Sequence, residues 1–560
     1  MTVLLKVFTL LGGLAFFLYG MNVMSGGLGK LAGGSLERSL KTMTKNRFAG
    51  MALGAVITIA IQSSSAMTVM LVGLVNSGIM QLGQTIGVIM GSNIGTTLTP
   101  WILSLSGVNG TGWIQLLKPE NFSPIIAFIG VVLIMMCKKP RKRDIGKILV
   151  GFAVLMYGMT LMGSSVSGLE NSAAFTSILT AFENPLLGVL VGAVVTGVIQ
   201  SSAASVGILQ TLAATGQISY GIAIPIIMGQ NIGTCITPIL ASIGASKNAK
   251  RTAAVHVSFN VLGTIIFVIG CYTFQHFVGF SFWDAPIDKG GIANFHTIFN
   301  VTVTLLFIPL VGLLEKIART LVRDKPGDRD QEITAITLDE RLLVSPGLAV
   351  EHAREAVVQM ANIARQNYLS AIGLLFQYDP KVVERINENE DVVDKLEDRV
   401  ETYLLRLGER ELSDSENRSI SELLHTCGEF ERVADHAENI CECADRMFET
   451  KTKFSKKATE EMQTICEAVK EILDLAVDAF QNVDRRAASI APLEEVVDEM
   501  EQLLKDKHID RLRRGKCTVD AAFPYVEALS NIERIADLCS NVGESVLTYD
   551  SRMEEIDRHE

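Results

Sequence analysis

The stretch Ile61-Gln62-Ser63-Ser64-Ser65-Ala66 places a run of polar residues in the middle of a long apolar segment, Phe48–Gly78. A second apolar segment, Leu186–Gly216, is interrupted in the same way by Ile199-Gln200-Ser201-Ser202-Ala203-Ala204. Irregular polar backbone at membrane depth is tolerated only where protein or a water-filled cavity surrounds it. We therefore predict that each segment forms a re-entrant hairpin of two half-helices, with the polar residues at the tip.

The two polar breaks belong to an internal duplication. The segment 13–21 resembles 151–159, and Met90-Gly-Ser-Asn-Ile-Gly-Thr-Thr-Leu-Thr-Pro100 resembles Met228-Gly-Gln-Asn-Ile-Gly-Thr-Cys-Ile-Thr-Pro238. These pairs and the two breaks are all separated by 138 residues without a gap. Chance similarity between apolar segments would not keep one register over such a length, so the pattern indicates two structural repeats.

The apolar stretches around the breaks approach the ~20 residues that a membrane-spanning helix needs. They predict an all-α polytopic membrane protein whose transmembrane domain covers 1–325, with repeats at about 4–137 and 145–275 and a final span at 293–314. The predicted spans are Val3–Met24, Thr85–Leu105, Ser123–Cys137, Ile145–Ser165, Tyr220–Ile243, Thr252–Phe274 and Ala293–Leu314.

Clusters of Lys and Arg indicate the orientation in the membrane. They follow the first, third, fifth and seventh elements, at 30–47, 138–143, 247–251 and 316–323. Basic loops stay in the cytoplasm, which puts the N-terminus outside and the C-terminus inside. The first repeat then crosses three times and the second starts from the opposite face, as in secondary transporters of the cytoplasmic membrane. Aquaporin-like channels also contain paired half-helices, so a channel remains an alternative.

The composition changes after the last predicted span. The chain has a net charge of −11 and 48% hydrophobic residues, but the apolar residues concentrate before residue 325 and the acidic ones after it. We predict a linker at 326–345 and a cytoplasmic helical domain at 346–560, whose first helix buries apolar residues at helical spacing from Ala349 to Ala364. The odd number of cysteines, nine, fits a reducing compartment. Because the basic residues lie in loops between spans, we expect no nucleic-acid partner.

The tips of the predicted hairpins are suited to an anion. A helix start exposes backbone N–H groups and the positive end of the helix dipole, and serine hydroxyls add further donors. The alternative is that these polar side chains only join neighbouring helices. The predicted anion-binding residues are Gln62, Ser63, Ser64, Ser65, Gln200, Ser201 and Ser202.

The Asn-Ile-Gly-Thr segments are suited to a cation. They supply neutral carbonyl, hydroxyl and amide oxygens from Asn93, Thr96 and Thr97, and again from Asn231 and Thr234. The predicted spans contain no carboxylate, which a proton-coupled pump would usually need, so sodium is favoured as the coupling ion. Two His-x-x-x-Asn pairs, at 256–260 and 296–300, fit interhelical hydrogen bonding or a part in the site.

With the paired Gln-Ser-Ser and Asn-Ile-Gly-Thr motifs in a duplicated layout, residues 4–314 resemble the type II sodium–phosphate cotransporter family. The resemblance implies that the Gln-Ser-Ser tips bind phosphate and sodium. It further implies a sodium site at Gln200, Ser201, Asn231, Thr234 and Thr237. This chain departs from the pattern at Ala203, where a third serine is missing, and at Cys235, where the first repeat has a threonine.

The tail is also duplicated. Glu431-Arg-Val-Ala-Asp435 resembles Glu533-Arg-Ile-Ala-Asp537, and residues 338–549 resemble PhoU-type regulatory domains built from two three-helix repeats. Carboxylates spaced four apart share a helix face, and clustered carboxylates suit Mg, Mn or Fe. We therefore predict a divalent metal site at Glu431, Asp435, Glu533 and Asp537, against the alternative of an acidic face paired with Arg432 and Arg534.

Together these features predict sodium-coupled transport of inorganic phosphate, regulated by the cytoplasmic tail. The sequence contains no Walker motif, nucleophile elbow or zinc signature, so we expect no enzyme. The expected partners are inorganic phosphate, sodium and membrane lipid, with a homo-oligomer or a regulatory protein bound through the tail as further options. A phosphate export valve, an uncoupled anion channel and a phosphate sensor remain alternatives.

Overall fold

The computed structural model describes residues 2–44, 46–107, 119–166, 183–323, 338–410 and 412–559. Contacts divide the chain into two compact units. One unit contains Met1–Thr334 together with Asp339–Gly347, and the other contains Ala335–Leu338 together with Leu348–Glu560. Helices joined by short turns form both units over the described residues, which confirms the predicted all-α fold.

The first unit contains long apolar helices and several shorter ones. Its helices are α1 (Thr2–Met43), α2 (Arg47–Ile61), α3 (Ser64–Asn76), α4 (Leu82–Gly95), α5 (Leu98–Ser104), α6 (Pro119–Met136), α7 (Pro140–Val166), α8 (Pro185–Ile199), α9 (Ser202–Ala213), α10 (Tyr220–Gly233), α11 (Ile236–Ala241), α12 (Lys247–Phe277), α13 (Lys289–Phe307) and α14 (Val311–Leu321).

Six stretches of the described residues are long and apolar enough to cross a membrane. Two predicted spans differ from the structure. The span predicted at Ser123–Cys137 is the shorter apolar helix α6. The final span, predicted to end at Leu314, ends with α13 at Phe307, because Pro309 has no N–H with which to continue the hydrogen bonds of the helix. The six stretches are Leu4–Leu31, Leu82–Gly107, Pro140–Val166, Tyr220–Ala241, Lys247–Phe277 and Lys289–Phe307.

The first helices of the two repeats, α1 and α7, cross at four glycines and run antiparallel. A Cβ at Gly13 would lie 3.0 Å from the Gly158 carbonyl oxygen, and one at Gly20 would lie 2.6 Å from the Gly151 oxygen. The reverse approaches are 2.7 Å for Gly158 and 2.8 Å for Gly151. Since Gly151 and Gly158 are the repeat counterparts of Gly13 and Gly20, the crossing has local two-fold symmetry.

Within each repeat, a second pair of helices approaches closely at glycine. A Cβ at Gly91 in α4 would lie 1.8 Å from the Met51 oxygen in α2, and one at Gly229 in α10 would lie 2.1 Å from the Val189 oxygen in α8. The two glycines are 138 residues apart, and so are their partners, Met51 and Val189. The sequence duplication is therefore also a duplication of helix packing.

The two repeats exchange contacts through their short helices. Helix α3 of the first repeat packs on α11 of the second, and α9 of the second packs on α5 of the first. As a result, the half-helix after each polar break packs on the helix that follows the Asn-Ile-Gly-Thr segment of the opposite repeat. This exchange positions the candidate site.

The second unit is a helical bundle with two groups of three helices, α15 to α17 and α18 to α20. The apolar face predicted from Ala349 to Ala364 is fully buried in α15. The phenol of Tyr368 donates to the Cys466 carbonyl oxygen at 2.9 Å and joins the groups. The helices are α15 (Pro346–Leu374), α16 (Pro380–Gly408), α17 (Asp414–Glu449), α18 (Lys456–Asn482), α19 (Ile490–Arg513) and α20 (Val519–His559).

Candidate functional site

The first polar break joins α2 to α3. Gln62 ends α2 in the left-handed region at φ 53°, and Ser63 caps α3 by accepting a hydrogen bond from the Ala66 N–H at 3.2 Å. A left-handed glutamine is unusual and persists only where the surroundings fix it. Here the Gln62 side chain donates to the Ile59 oxygen at 2.6 Å and accepts from Thr99 Oγ1 at 3.0 Å. The Gln62 side chain is therefore bonded both to its own helix and to α5.

The second break repeats this backbone geometry with a different side-chain environment. Gln200 ends α8 at φ 56°, and Ser201 caps α9 by accepting from the Ala204 N–H at 3.2 Å. Gln62 is only 8% exposed, whereas Gln200 is exposed. The Gln62 amide is engaged with the protein, while the Gln200 amide is accessible to a ligand.

The Asn-Ile-Gly-Thr segments form the junctions between α4 and α5 and between α10 and α11. Asn93 and Asn231 each donate their amide to the carbonyl one turn back, at 3.0 Å. Thr97 donates to the Ile94 oxygen at 2.7 Å, and Thr96 in the same way to the Ser92 oxygen. Because these donors are used within the helices, the lone pairs of the hydroxyl and amide oxygens are left as acceptors, which is the chemistry of a cation site.

The junction of the second repeat differs in two residues. Thr234 donates to the Gln230 oxygen at 2.9 Å, but Cys235 takes the place of Thr97 and lies within 3.7 Å of the Asn231 oxygen. Thr237 Oγ1 is buried and has no hydrogen-bond partner among the residues that the structure describes. This junction therefore keeps an additional buried oxygen for a ligand.

A direct contact brings one tip to one junction. The Ser65 hydroxyl at the start of α3 donates to the Thr234 carbonyl oxygen at 3.3 Å. The N–H groups and hydroxyls at the start of α3 thus lie next to the oxygen-rich junction between α10 and α11. The structure joins the predicted anion and cation residues across the two repeats, and it places α9 beside α5 in the corresponding way.

The predicted metal site of the tail is not supported. Among the described residues, no group of three or more His, Cys, Asp or Glu side chains could hold a metal ion. Burial and the negative charge of Asp435 raise the pKa of Glu431 to about 7. In the second tail repeat, Arg534 contacts Asp537 at 3.3 Å and Glu533 at 3.9 Å. The positive charge next to Glu533 and Asp537 is therefore that of the Arg534 side chain.

Two features near the site lie outside the predicted phosphate and sodium residues. Asn260, which fitted either bonding between helices or a part in the site, contacts Cys235 at the second junction, with 3.4 Å between Nδ2 and Sγ. The end of the predicted linker forms a 3₁₀ helix, Glu340–Val344, that packs on α3; residues 326–337 of that linker lie outside the described residues. The polar spacing along α12 signals the first feature, whereas nothing in the sequence signals the second.

Two broken helix pairs, each beside a neutral oxygen-rich junction in a multi-pass helical unit, define a membrane transport protein that carries a soluble helical domain. Comparison with known families gives its identity. The chain belongs to the Na+/Pi-cotransporter family, whose sequence model matches residues 16–164 and 155–282. The PhoU domain model matches residues 357–444 and 462–546 in the tail.

Individual relatives agree with this family. YjbB of Escherichia coli (strain K12), which is named as a candidate inorganic phosphate export protein, is 23% identical over 97% of this chain and 98% of its own length. The uncharacterized protein YqeW of Bacillus subtilis is 30% identical over 55% of this chain and 96% of its own. The sodium-dependent phosphate transport protein 2A of Rattus norvegicus is 38% identical over 19% of this chain and 17% of its own.

Proposed function

We propose that this protein couples sodium movement to the transport of inorganic phosphate across the cytoplasmic membrane. The observation that carries the proposal is the hydrogen bond from Ser65 to the Thr234 oxygen at 3.3 Å. It supports the proposal because it brings the proposed anion donors at the start of α3 next to the proposed cation acceptors of the junction, and all of these residues are neutral. In such a site the sodium ion supplies the charge that partners the phosphate, so binding of either ion favours the other.

In this proposal the tips bind phosphate through Ser64 and Ser202, and the junctions bind sodium. Gln200 is accessible, which suits its proposed contribution to either ion. Thr234 and Thr237 lie at the junction that Ser65 contacts. The name of the Na+/Pi-cotransporter family and the name of the Rattus norvegicus relative support sodium as the coupling ion.

We further propose an inverted arrangement of the repeats, with the N-terminus outside and the tail in the cytoplasm. The antiparallel crossing of α1 and α7 through equivalent glycines supports it, since the same helix of each repeat then points in opposite directions. Single cysteines replacing Lys142 and Gly515 in a cysteine-free protein would react with an impermeant thiol reagent only from inside. Labelling at Lys142→Cys from outside would exclude this orientation.

A second candidate is an export valve or an uncoupled phosphate channel, which the name of the Escherichia coli relative favours. The two functions differ in their dependence on sodium. Purified protein in proteoliposomes should accumulate labelled phosphate against its gradient when sodium is higher outside, and should stop when the sodium gradient is abolished. Downhill phosphate flux that is equal with and without sodium would establish the channel instead, and no flux at all would favour a sensor.

The tail is proposed to regulate this transport, and the segment Asp339–Gly347 is the element proposed to transmit its state. This segment belongs to the first unit, and α15 starts within it at Pro346. The Leu342 side chain is fully buried and lies against Gly73 of α3, the helix that starts at the first tip. We call the segment the anchor.

Polar contacts attach the anchor to both repeats. Arg341 donates from Nε to the Ala241 oxygen at 2.6 Å, at the end of α11, and pairs with the buried Asp339 at 2.8 Å. Asp339 in turn accepts from Asn76 at the end of α3, at 2.7 Å. The Asn76 oxygen accepts from the Ser246 N–H at 2.7 Å. The anchor therefore bridges α3 and α11, whose starts carry the proposed phosphate and sodium residues.

A further inference from the structure

Helix α14 is too short to cross a membrane. Its bounds, Val311–Leu321, enclose 11 residues, about half of the ~20 that a membrane-spanning helix needs. It comes directly after Lys289–Phe307, the last described stretch that is long enough to cross, and it packs on α12 and α4. A short helix that follows a span so closely starts where the membrane meets water.

The end of α14 is attached to the start of α12. Arg251 of α12 is only 3% exposed and donates from Nε and Nη2 to the Val322 carbonyl oxygen, at 3.1 and 3.0 Å. The last carbonyls of a helix have no partner within the helix, and a cation stabilises them. Lys247 and Lys250 belong to the same turn of α12 as Arg251. The end of α14 is therefore held at the basic end of α12, which the proposed orientation puts on the cytoplasmic side.

Two neighbouring sectors of α14 are apolar, but only one of them is covered by protein. Successive residues of a helix are rotated by about 100°. Val311, Leu314 and Ala318 share one sector and are buried. The sector beside it is exposed, since the Leu313 side chain is 44% exposed and the Leu321 side chain is 66% exposed. An apolar sector of this kind is unfavourable in water, so it needs a further partner.

The remaining sector of α14 is basic. Lys316 and Arg319 lie about 60° apart around the helix and are exposed. Arg319 pairs with Glu315, at 2.8 Å between Nη2 and Oε1. Arg323 follows the helix and folds back on its end, since its Nε donates to the Thr320 oxygen at 3.3 Å. With one acidic and three basic residues, this sector has a net charge of +2.

Two observations favour lipid as the occupant of the exposed sectors. Leu305 and Leu306 of α13 are 62% and 40% exposed, and they belong to a stretch that is long enough to cross the membrane. The exposed apolar surface therefore continues from a span into α14. The positive charge complements the anionic surface of the cytoplasmic leaflet, which attracts basic residues next to a span.

An exposed apolar sector together with a basic one is the pattern of a helix that lies in the membrane interface. We propose that α14 binds anionic phospholipid of the inner leaflet. Leu313 and Leu321 lie among the acyl chains, and Lys316 and Arg323 pair with the phosphate groups of the lipids. The inference goes beyond the proposed transport and uses only the proposed orientation.

Quenching by labelled lipid measures this contact directly. Leu321→Cys in a cysteine-free full-length protein carries a fluorophore, and the protein is placed in vesicles of phosphatidylcholine and phosphatidylglycerol. One of the two lipids at a time carries bromine on its acyl chains, which quenches the fluorophore on contact. Brominated phosphatidylglycerol, which is anionic, should quench more strongly than brominated phosphatidylcholine at the same mole fraction.

Substitutions of the basic residues test the headgroup contact. Lys316→Gln with Arg323→Gln should reduce the preference for phosphatidylglycerol several-fold, since each cation near an anionic surface favours binding about fivefold. Lys316→Arg with Arg323→Lys keeps the charge and should keep the preference. Lys456→Gln with Lys457→Gln is the matched control, because it removes the same charge from exposed positions of α18 and should change nothing.

Four results would overturn the proposal. Equal quenching by the two lipids would mean that α14 does not recognise the headgroup. Absence of quenching by both would mean that protein covers the apolar sector, and a disulfide between two unlabelled Leu321→Cys chains would identify a second copy as that cover. An equal loss of preference in the α18 control would assign the effect to net charge alone. None of these measurements needs phosphate flux, so failure of the transport function is a separate result.

Discussion

At the scale of single residues, the hydroxyl groups of the site have separable tasks. Ser202→Ala should raise the half-saturating phosphate concentration about tenfold or more, since a hydrogen bond to a charged group contributes on the order of 1.5–3 kcal/mol. Thr234→Val keeps the carbonyl that Ser65 contacts but removes an oxygen of the junction. It should therefore raise mainly the sodium requirement.

Initial rates of phosphate uptake, measured against each ion in turn, check this division. Ser164→Ala is a suitable control, because its hydroxyl donates to its own helix at the Leu161 oxygen, at 2.8 Å. Unaltered kinetics in both site variants would mean that these side chains only join helices.

A carboxyl group of the tail gives a pH-dependent prediction. Burial and the charge of Asp435 raise the pKa of Glu431 from 4.5 to about 7. The folded protein therefore keeps a proton that the unfolded chain loses above pH 4.5. The stability that this proton provides is fully present below pH 4.5 and is lost as the pH rises through 7. Glu431→Gln, which is neutral at every pH, should raise the melting temperature of the tail above pH 7 but not near pH 4.5.

Calorimetry of the whole protein at pH 5 and pH 8 measures this effect, with the exposed Glu384→Gln on α16 as the control. The same experiment also tests for a metal ion. If Glu431 were a metal ligand, its substitution would lower the stability above pH 7, and chelator would remove the difference.

At the scale of the elements, the crossing of α1 and α7 depends on glycines, which have no side chain to keep the two helices apart. A Cβ at Gly158 would lie 2.4 Å from the Phe17 nitrogen, so Gly158→Ala forces the helices apart. Overpacking of this kind costs about 1–3 kcal/mol. Gly163 is on the same helix with nothing within 4 Å of its Cβ position, and Gly163→Ala should be neutral or slightly stabilising.

Thermal unfolding in detergent distinguishes the two glycines. The expected result is a lower melting temperature for Gly158→Ala than for Gly163→Ala. Equal melting temperatures would mean that the close approach of α1 and α7 contributes no stability.

The elements show what a sequence can and cannot reveal. Polar residues at Gln62 and Gln200 predict the breaks, because a local change of composition causes a local change of backbone. Thr99 of α5 bonds Gln62, whereas its counterpart in the second repeat, Thr237, makes no side-chain hydrogen bond to any described residue, Gln200 included. Such differences arise from tertiary contacts, and no local pattern contains them.

Long-range partners were missed for the same reason. Asn76 and Asp339 are 263 residues apart, and neither has an unusual neighbourhood in the sequence. The tail carboxylates, in contrast, form a clear pattern in the sequence, but the described residues do not support the predicted metal site. Spacing placed Asp537 on one helix face, but it did not reveal that Arg534 would pair with it.

At the scale of the whole molecule, the contacts of the anchor lead to a prediction about the loss of regulation of transport. Arg341→Ala removes the bonds to the Ala241 and Ile243 oxygens and the pair with Asp339. Phosphate transport should persist in this variant but should no longer differ between phosphate-starved and phosphate-replete cells. Arg319→Ala, which removes an exposed pair with Glu315, is the control and should leave regulation intact.

Two truncations separate the anchor from the tail. A chain that ends after Gly347 keeps the anchor, and one that ends after Asp330 lacks it. We expect unregulated transport from both, with lower thermal stability for the shorter chain. Normal regulation in either truncated protein, or in Arg341→Ala, would exclude the proposed route.

The glycine crossing between α1 and α7 also has a consequence for ancestry. Gly13 faces Gly158, the counterpart of Gly20, and Gly20 faces Gly151, the counterpart of Gly13. A single repeat therefore contains both halves of this contact and could pair with a second copy of itself, inserted in the opposite direction, through the same four positions. The present chain has the form expected if a gene encoding such a self-pairing half was doubled and fused, which made a dimer of separate chains into one covalent molecule.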